Sequence, residues 1–260
     1  MTRELSKPHV VEQLRALGVN AGDVLVVHTS FRAVRPIEGG PGGLIDALEQ
    51  AIAPDGTLVM PAWTGSDEDV FDPATTRASP DLGIVADAFW RRPRVHRSSH
   101  PFAFAASGPH AAAVTCDALA LPPHAPNSPI GRVYELDGRV LLLGVGHDAN
   151  TTIHLAEILA DVPYRVTKHC TVERNGRRER VEYGENDHCC QRFDLLDEWL
   201  RTRGLQSEGP VGHAHARLMR ARDVVRVVCE QLAADPLLFL HLPDTRCGEC
   251  DEARRSVPRV

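Results

Sequence analysis

The run Asn150-Thr-Thr-Ile-His-Leu-Ala-Glu157 places an imidazole and a carboxylate three residues apart. On a helix that spacing puts both side chains on one face, one turn apart, where a carboxylate can orient a histidine and stabilise its charged form. Such a pair suits a general base. Asp161 continues the same face, and Leu155, Ile158, Leu159 and Val162 take the opposite one. An ordinary surface histidine on an amphipathic helix shows the same pattern, so the setting decides. Val140 to Val145 is a continuous apolar run, as in a strand buried on both faces. Gly144 and Gly146 allow a sharp turn after it, Asn150, Thr151 and Thr152 are all helix-capping types, and Pro163 stops the helix. A histidine at a helix start, just past the C-terminal end of a buried strand, is where α/β enzymes place chemistry.

Three other groups have chemistry-bearing spacing. Val24 to His28 reads as a short buried strand, followed by Thr29-Ser30-Phe31-Arg32-Ala33-Val34-Arg35, four glycines between Gly39 and Gly43, and an amphipathic helix from Leu44 to Ile52. A strand, a Gly-rich loop and a helix together offer backbone N–H groups to an anion, and Arg32 and Arg35 could add phosphate contacts. Neither a Gly-Lys-Ser/Thr phosphate loop nor a Gly-x-Gly-x-x-Gly fingerprint is present, and a plain surface loop fits equally. Asp67, Glu68 and Asp69 form an acidic loop that would attract amines if it borders a pocket. Cys247-Gly-Glu-Cys250 is half of a zinc site by spacing. His188 and one of Cys189 or Cys190, with Cys190 preferred, could complete four ligands and pin the tail to the helix beginning near residue 190. Such a closed set would be structural. The alternative is reduced thiols, with Cys189 a small core residue.

The elements that must position these groups follow from the periodicity. Helices are expected over Val10–Leu17, Leu82–Arg91, Gln191–Arg203 and Asp223–Ala233. Strands are expected over Gly56–Met60, Tyr164–Glu173, Arg177–Tyr183 and Leu237–His241, with Asn175-Gly176 as a two-residue hairpin turn. Pro122, Pro123, Pro126 and Pro129 make a stiff loop around His124 and Ser128. With 260 residues, 43% hydrophobic and 25% charged, the chain has an ordinary globular balance. The expected architecture is one α/β domain over residues 1–260, a mixed central sheet with flanking helices, ending in a Cys-containing tail at 243–260. The net charge of −6 with no basic block argues against nucleic acid or anionic membranes as partners. The N-terminal residues lack an apolar signal core and no run reaches membrane-spanning length, so a cytoplasmic location is expected. Seven cysteines, an odd number, do not suggest a disulfide scaffold.

Three stretches together carry a family resemblance: Gly22-Asp-Val-Leu-Val-Val-His-Thr-Ser-Phe-Arg32, His100-Pro-Phe-Ala-Phe-Ala-Ala-Ser-Gly108 and Gly144-Val-Gly-His-Asp-Ala-Asn-Thr-Thr-Ile-His-Leu-Ala-Glu157. Over nearly its whole length the chain resembles the aminoglycoside 3-N-acetyltransferases of the antibiotic N-acetyltransferase family. Glu185-Asn-Asp-His-Cys-Cys190 and the Cys-rich tail make it similar to the type IV enzymes. The resemblance implies the antibiotic N-acetyltransferase fold, not the common acetyltransferase fold, whose Arg/Gln-x-x-Gly-x-Gly/Ala loop is missing here. It implies acetyl-CoA as co-substrate and the 3-amine of apramycin-, gentamicin- or tobramycin-like drugs as acceptor. Carried over residue by residue, it makes His154 the catalytic base, with Glu157 or Asp187 to stabilise the imidazolium. Ser30, Phe31, Arg32 and Val34 would contact CoA, with Ser128, Gly146 and His147 along the pantetheine. Thr151 or Thr152 would steady the oxyanion. A polycationic acceptor asks for carboxylates, and Asp67, Glu157, Glu185 and Asp187 are the expected ones. Direct transfer needs no covalent cysteine intermediate, and no cysteine has a nucleophile's sequence context. The zinc ligands are not implied by the resemblance and rest on spacing. Two other readings stay open: acetylation of a different amine, such as a phosphonate or nucleotide intermediate, and a zinc-dependent hydrolase built on His188 and the cysteines.

Overall fold

Lys7–Leu17 forms α1, with Pro8 in its first turn, where a missing N–H costs nothing, and Gly18 closing it at φ 111°, which a side chain rarely allows. The computed structural model describes residues 3–116 and 119–258. Next come β1 (Val24–Thr29), α2 (Phe31–Val34), α3 (Gly40–Ile52), β2 (Thr57–Pro61), α4 (Gly83–Trp90), β3 (His96–Arg97) and β4 (Phe104–Ser107). The middle of the chain forms α5 (Ala111–Val114), α6 (Pro129–Glu135), β5 (Arg139–Leu143), α7 (Thr152–Leu159), β6 (Val166–Arg174) and β7 (Arg177–Glu185). The last part forms α8 (Leu195–Thr202), β8 (Gln206–Val211), β9 (Ala214–Arg220), α9 (Ala221–Ala234) and α10 (Gly248–Ser256).

Seven strands form one mixed sheet in the order β3-β4-β2-β1-β5-β9-β8. β1 lies at its centre, parallel to β2 and to β5, and the outer pairs are antiparallel. Strand alternation sends side chains to two cores. Leu25, Val27, Leu141 and Leu143 pack with α1, α3 and α4, while Val24, Val26, Val140 and Leu142 pack with α5 to α9. Each such fully buried aliphatic side chain contributes roughly 1.5–3 kcal/mol of transfer free energy. The helix after β1 (α3) covers one face and the helix after β5 (α7) covers the other. Neighbouring parallel strands whose chains leave to opposite faces open a crevice at their C-terminal ends, between His28–Ser30 and Gly144–Thr151.

β6 and β7 form a separate two-stranded sheet. Arg174 pairs with Arg177 across Asn175 and Gly176, both at positive φ (54° and 72°), the geometry a two-residue type I′ turn demands. Two sequence expectations fail, and two elements have no counterpart among them. Leu237–His241 is not a strand but a series of turns, held by Leu238 N to Asp235 O and Leu240 N to Leu237 O, with Phe239 and Leu240 buried. The hairpin β8–β9 and the helix α10 were not anticipated. α7 ends at Leu159, so Asp161 leaves the helix at φ 51° and pairs with Arg165 instead of extending the His154 face. Among the described residues no helix is long and apolar enough to cross a membrane.

Candidate active site

The entry to α7 is fixed by polar contacts. Asn150 Oδ1 accepts the Thr152 N–H (3.2 Å), and the Asn150 amide meets His147 Nδ1 (3.3 Å). The buried His147 ring is held on its other side by Gln206 (2.9 Å), and Asp194 accepts its backbone N–H (3.0 Å). These contacts set His154 in the first turn of α7. Leu155 and Val162 enter the core as expected, but Glu157 is also fully buried and Leu159 is 45% exposed, so burial does not follow the simple two-faced pattern. The face carrying His154 and Glu157 turns inward because it closes a network rather than meeting water.

Glu157 is the hub. Oε2 meets His154 Nδ1 (2.9 Å), while Oε1 accepts from the Tyr164 hydroxyl (2.5 Å) and from His188 Nε2 (2.8 Å). Burial alone would raise this carboxyl. The His188 and His154 rings, by charge and hydrogen bonding, outweigh burial and hold it at about 2. Burial, with the Glu157 carboxylate added, drives the Tyr164 phenol well up, so it stays a donor. His154 is also buried, which pulls its basicity down, but the Cys190 sulfur and the Glu157 carboxylate prevail and lift it well above 6.5. Cys190 Sγ lies 3.4 Å from His154 Nε2.

His154 and Cys190 face a cavity of about 350 Å³ at the C-terminal ends of β1, β2 and β5. One side is a ladder of rings: Trp63 stacks on Phe102 (4.4 Å between centroids), Phe102 meets His124 edge-on (5.0 Å), and His124 stacks on His154 (4.9 Å). Asp81, Asp148 and Asp187 bring three carboxylates from three separate segments. His28 and Thr151 complete the floor, with Thr151 Oγ1 3.2 Å from His28 Nε2; burial lowers His28 to about 4 and keeps its ring neutral. The Thr29 hydroxyl is buried there without a protein partner. A second cleft, lined by Ala33, Gly144, Gly146, His147, Ala214 and Arg217, meets the first at Val145.

Several expected site residues lie elsewhere or do something else. Glu157 cannot touch an acceptor, because it is fully buried with both oxygens engaged. Asp187 lines the cavity but is paired with Lys168 (2.5 Å), and it has no hydrogen bond to His154, whose partners are Glu157 and Cys190. Glu185 sits outside the lining, 3.9 Å from His124, and burial raises it to about 7. Asp67 is exposed and also off the lining; its carbonyl accepts from Thr171 on the hairpin. Ser128 is fully buried, capping α6 through the Gly131 N–H (3.2 Å), so it is not free to line a pantetheine path. Val34 is a core side chain, whereas Ser30 and Phe31 are half-buried and Arg32 and Arg35 are exposed on the segment after β1. Among the described residues, Arg32 and Arg35 make no side-chain hydrogen bond or ion pair.

The expected metal set does not assemble either. His188 has both ring nitrogens committed, Nε2 to Glu157 and Nδ1 to the Cys190 N–H (3.1 Å), and Cys190 points at His154. Cys247 and Cys250 instead meet Cys189 and His241. The open-site zinc hydrolase reading loses its ligand His188 in the same way. Of the residues not anticipated, His28 and Trp63 stand at the ends of parallel strands, and that position alone could have marked them. Asp81, Asp148 and Phe102 carried no local signal.

A mixed α/β sheet with a histidine–carboxylate pair at its strand ends, facing an acidic cavity joined to a second cleft, has the layout of an α/β enzyme's active site. Comparison with known proteins gives the reaction. The profile of the family described as aminoglycoside 3-N-acetyltransferase matches residues 26–233. The chain is 60% identical to aminoglycoside N(3)-acetyltransferase IV of Salmonella sp., covering 94% of each. It superposes on aminoglycoside acetyltransferase AAC(3)-IVa, solved as the H154A mutant in complex with a gentamicin, with a TM-score of 0.97, 60% identity and 99% of both chains covered. A more distant structure, AAC-IIIb binary with CoASH, gives 0.82 at 25% identity over 89% of this chain and 97% of that one. The chain belongs to the aminoglycoside 3-N-acetyltransferase family and is an acyltransferase.

Proposed function

We propose that the chain, as one catalytic unit, transfers the acetyl group of acetyl-CoA directly to the 3-amine of a 2-deoxystreptamine aminoglycoside of the gentamicin, apramycin or tobramycin type. Such an enzyme confers resistance in the cytoplasm, where acetyl-CoA is available. The observation that carries this reading is the buried Glu157–His154 pair opening onto a cavity with three carboxylates. Relatives solved with a gentamicin and with CoASH support it.

The acceptor amine enters as an ammonium and must lose a proton before it can attack the thioester. Asp81, Asp148 and Asp187 attract the polycation. Its arrival disfavours an imidazolium at His154, so His154 is neutral when the amine reaches it. His154 Nε2 takes the proton, and Glu157 stabilises the imidazolium through Nδ1. The Thr151 or Thr29 hydroxyl suits the developing oxyanion better than Thr152, which does not line the cavity. CoA occupies the second cleft, with its phosphates towards Arg32 and Arg35 and its thioester passing Gly146 and Val145.

The test is thiol release from acetyl-CoA across a panel of aminoglycosides with and without a free 3-amine. His154→Ala is expected to lose about 10²–10⁴-fold in turnover while still binding acetyl-CoA. Near-normal turnover in the folded variant removes His154 as base.

Cys190 supports a second reading. Nothing in its sequence context marks it as a nucleophile, yet Cys190 Sγ at 3.4 Å from a carboxylate-oriented histidine has the geometry of an activated thiol. The thiolate would attack the thioester and expel CoA thiolate; the amine would then attack acetyl-Cys190 and regenerate the thiol. Parallel-line kinetics and an acetylated-protein mass without acceptor would favour this route. Intersecting lines and a Cys190→Ser enzyme that still turns over favour direct transfer.

A further inference from the structure

Far from the crevice in sequence but against it in space, four soft ligands converge. Cys189 precedes Cys190, His241 ends the turns after α9, and Cys247 and Cys250 begin α10. The three sulfurs and His241 Nδ1 all lie within 4.8 Å of one another. Cys189 Sγ is 3.6 Å from Cys250 Sγ, and His241 Nδ1 is 3.4 Å from Cys189 Sγ and 3.7 Å from Cys250 Sγ. Zinc bonds of about 2.3 Å to sulfur and about 2.05 Å to nitrogen set tetrahedral edges of roughly 3.8 Å between sulfurs and roughly 3.6 Å between sulfur and nitrogen. The observed separations match those edges and lie far outside a disulfide bond of about 2.05 Å.

We propose that Cys189, His241, Cys247 and Cys250 hold one structural zinc ion, which ties α10 to the loop that carries His188 and Cys190. Three thiolates and one imidazole at tetrahedral spacing select zinc among the common divalent ions. The four protein ligands fill the shell, so the site is closed and contributes folding energy, not chemistry. Arg254 of α10 donates to the His241 carbonyl and braces that ligand's backbone. The consequence reaches the active site. Cys190 stands at φ 59°, a conformation that needs support from its surroundings. Zinc at Cys189 fixes the next residue's sulfur against His154, and fixes the preceding residue, His188, against Glu157.

The reduced full-length protein, purified without a polyhistidine tag, should contain about one zinc per chain. Cobalt(II) added to the metal-stripped protein should give the intense thiolate charge-transfer and visible bands of a tetrahedral sulfur-rich site. His241→Ala and the double variant Cys247→Ser, Cys250→Ser should lose zinc, while Cys229→Ser and His188→Ala keep it. The melting temperature should fall on chelation and recover when zinc alone is returned. Because ligand variants can fail to fold, the cobalt titration of the unaltered chain decides by itself. Substoichiometric zinc with no tetrahedral thiolate spectrum overturns the proposal, as do a Cys189–Cys250 disulfide in the reduced protein and a cobalt spectrum that survives in the double variant.

Discussion

At the scale of single residues, charge on the His154–Glu157 pair is expected to set both rate and stability. His154 sits well above 6.5 because the Cys190 sulfur and the Glu157 carboxylate outweigh its burial. A base must be neutral to accept a proton, so kcat/KM should rise with pH along a limb that lies above 6.5. Glu157→Gln removes one of the two groups that raise His154, and that limb should move to lower pH while kcat falls. The acceptor KM should change little, because Glu157 is fully buried. A pH–rate profile of the folded variant checks this, and an unmoved limb would mean that Glu157 does not set the basicity of His154. The linkage to stability has opposite signs at the two residues. Glu157 is lowered from 4.5 to about 2, so its contribution is present above about 4.5 and is lost as pH falls through about 2. His154 is raised, so its contribution is complete below 6.5 and fades as pH climbs through its higher value in the folded protein. Acid and alkaline melts of wild type and Glu157→Gln should therefore diverge most above about pH 4.5, where the buried carboxylate is ionised.

At the scale of elements, the turn between β5 and α7 is where backbone geometry carries function. Gly144 stands at φ 73°, and a Cβ there would meet the Ala33 Cβ at 2.6 Å and the Ala214 Cβ at 3.2 Å. Gly144→Ala should therefore cost roughly 1–3 kcal/mol from strained φ, before any clash is counted. It should also push α2 away from β5, raising the acetyl-CoA KM above the acceptor KM; a melting curve and two-substrate kinetics test it. The glycines of this turn were legible, as were the apolar run of β5 and the Asn175-Gly176 hairpin, because local chemistry forces each. β8 was not, since Gln206-Ser-Glu-Gly-Pro-Val211 is an edge strand that tolerates Pro210 and needs few apolar residues. Leu237–His241 misled for the opposite reason: its apolar residues fill the core from turns, and a short apolar run does not distinguish the two. The His154–Glu157 pair could be read from spacing. Its inward orientation could not, because that depends on Tyr164 and His188, which only folding brings to Glu157. The spacing of Cys247 and Cys250 was visible for the same local reason, whereas the approach of His241 to them was not, because nothing near it in sequence marks it.

Across the whole molecule, the net charge of −6 is less informative than where the charges stand. The acidic loop at Asp67 drew attention as a run, yet the carboxylates that face the cavity are single residues from distant segments, Asp81, Asp148 and Asp187. Clustering in space, not in sequence, creates the field a polycation feels. The exposed Arg32 and Arg35 stand on the loop after β1, so the two substrates are expected to meet opposite charges at opposite ends of one crevice. Exposed pairs contribute about 0.2–1 kcal/mol each, so neutralising one carboxylate should raise the aminoglycoside KM by a factor of roughly 1.4 to 5. Asp187→Asn should exceed Asp81→Asn, because it also leaves Lys168 unpaired beside the cavity to repel the incoming cation. Arg32→Gln with Arg35→Gln should raise the acetyl-CoA KM instead. Salt weakens both substrates as the screening length shrinks to about 8 Å at physiological strength. In each charge variant, the salt dependence should flatten only for the substrate whose partner was removed. Steady-state kinetics at several ionic strengths would show this, and a variant whose two KM values shift together would place both substrates against the same charges and abolish the division of the crevice.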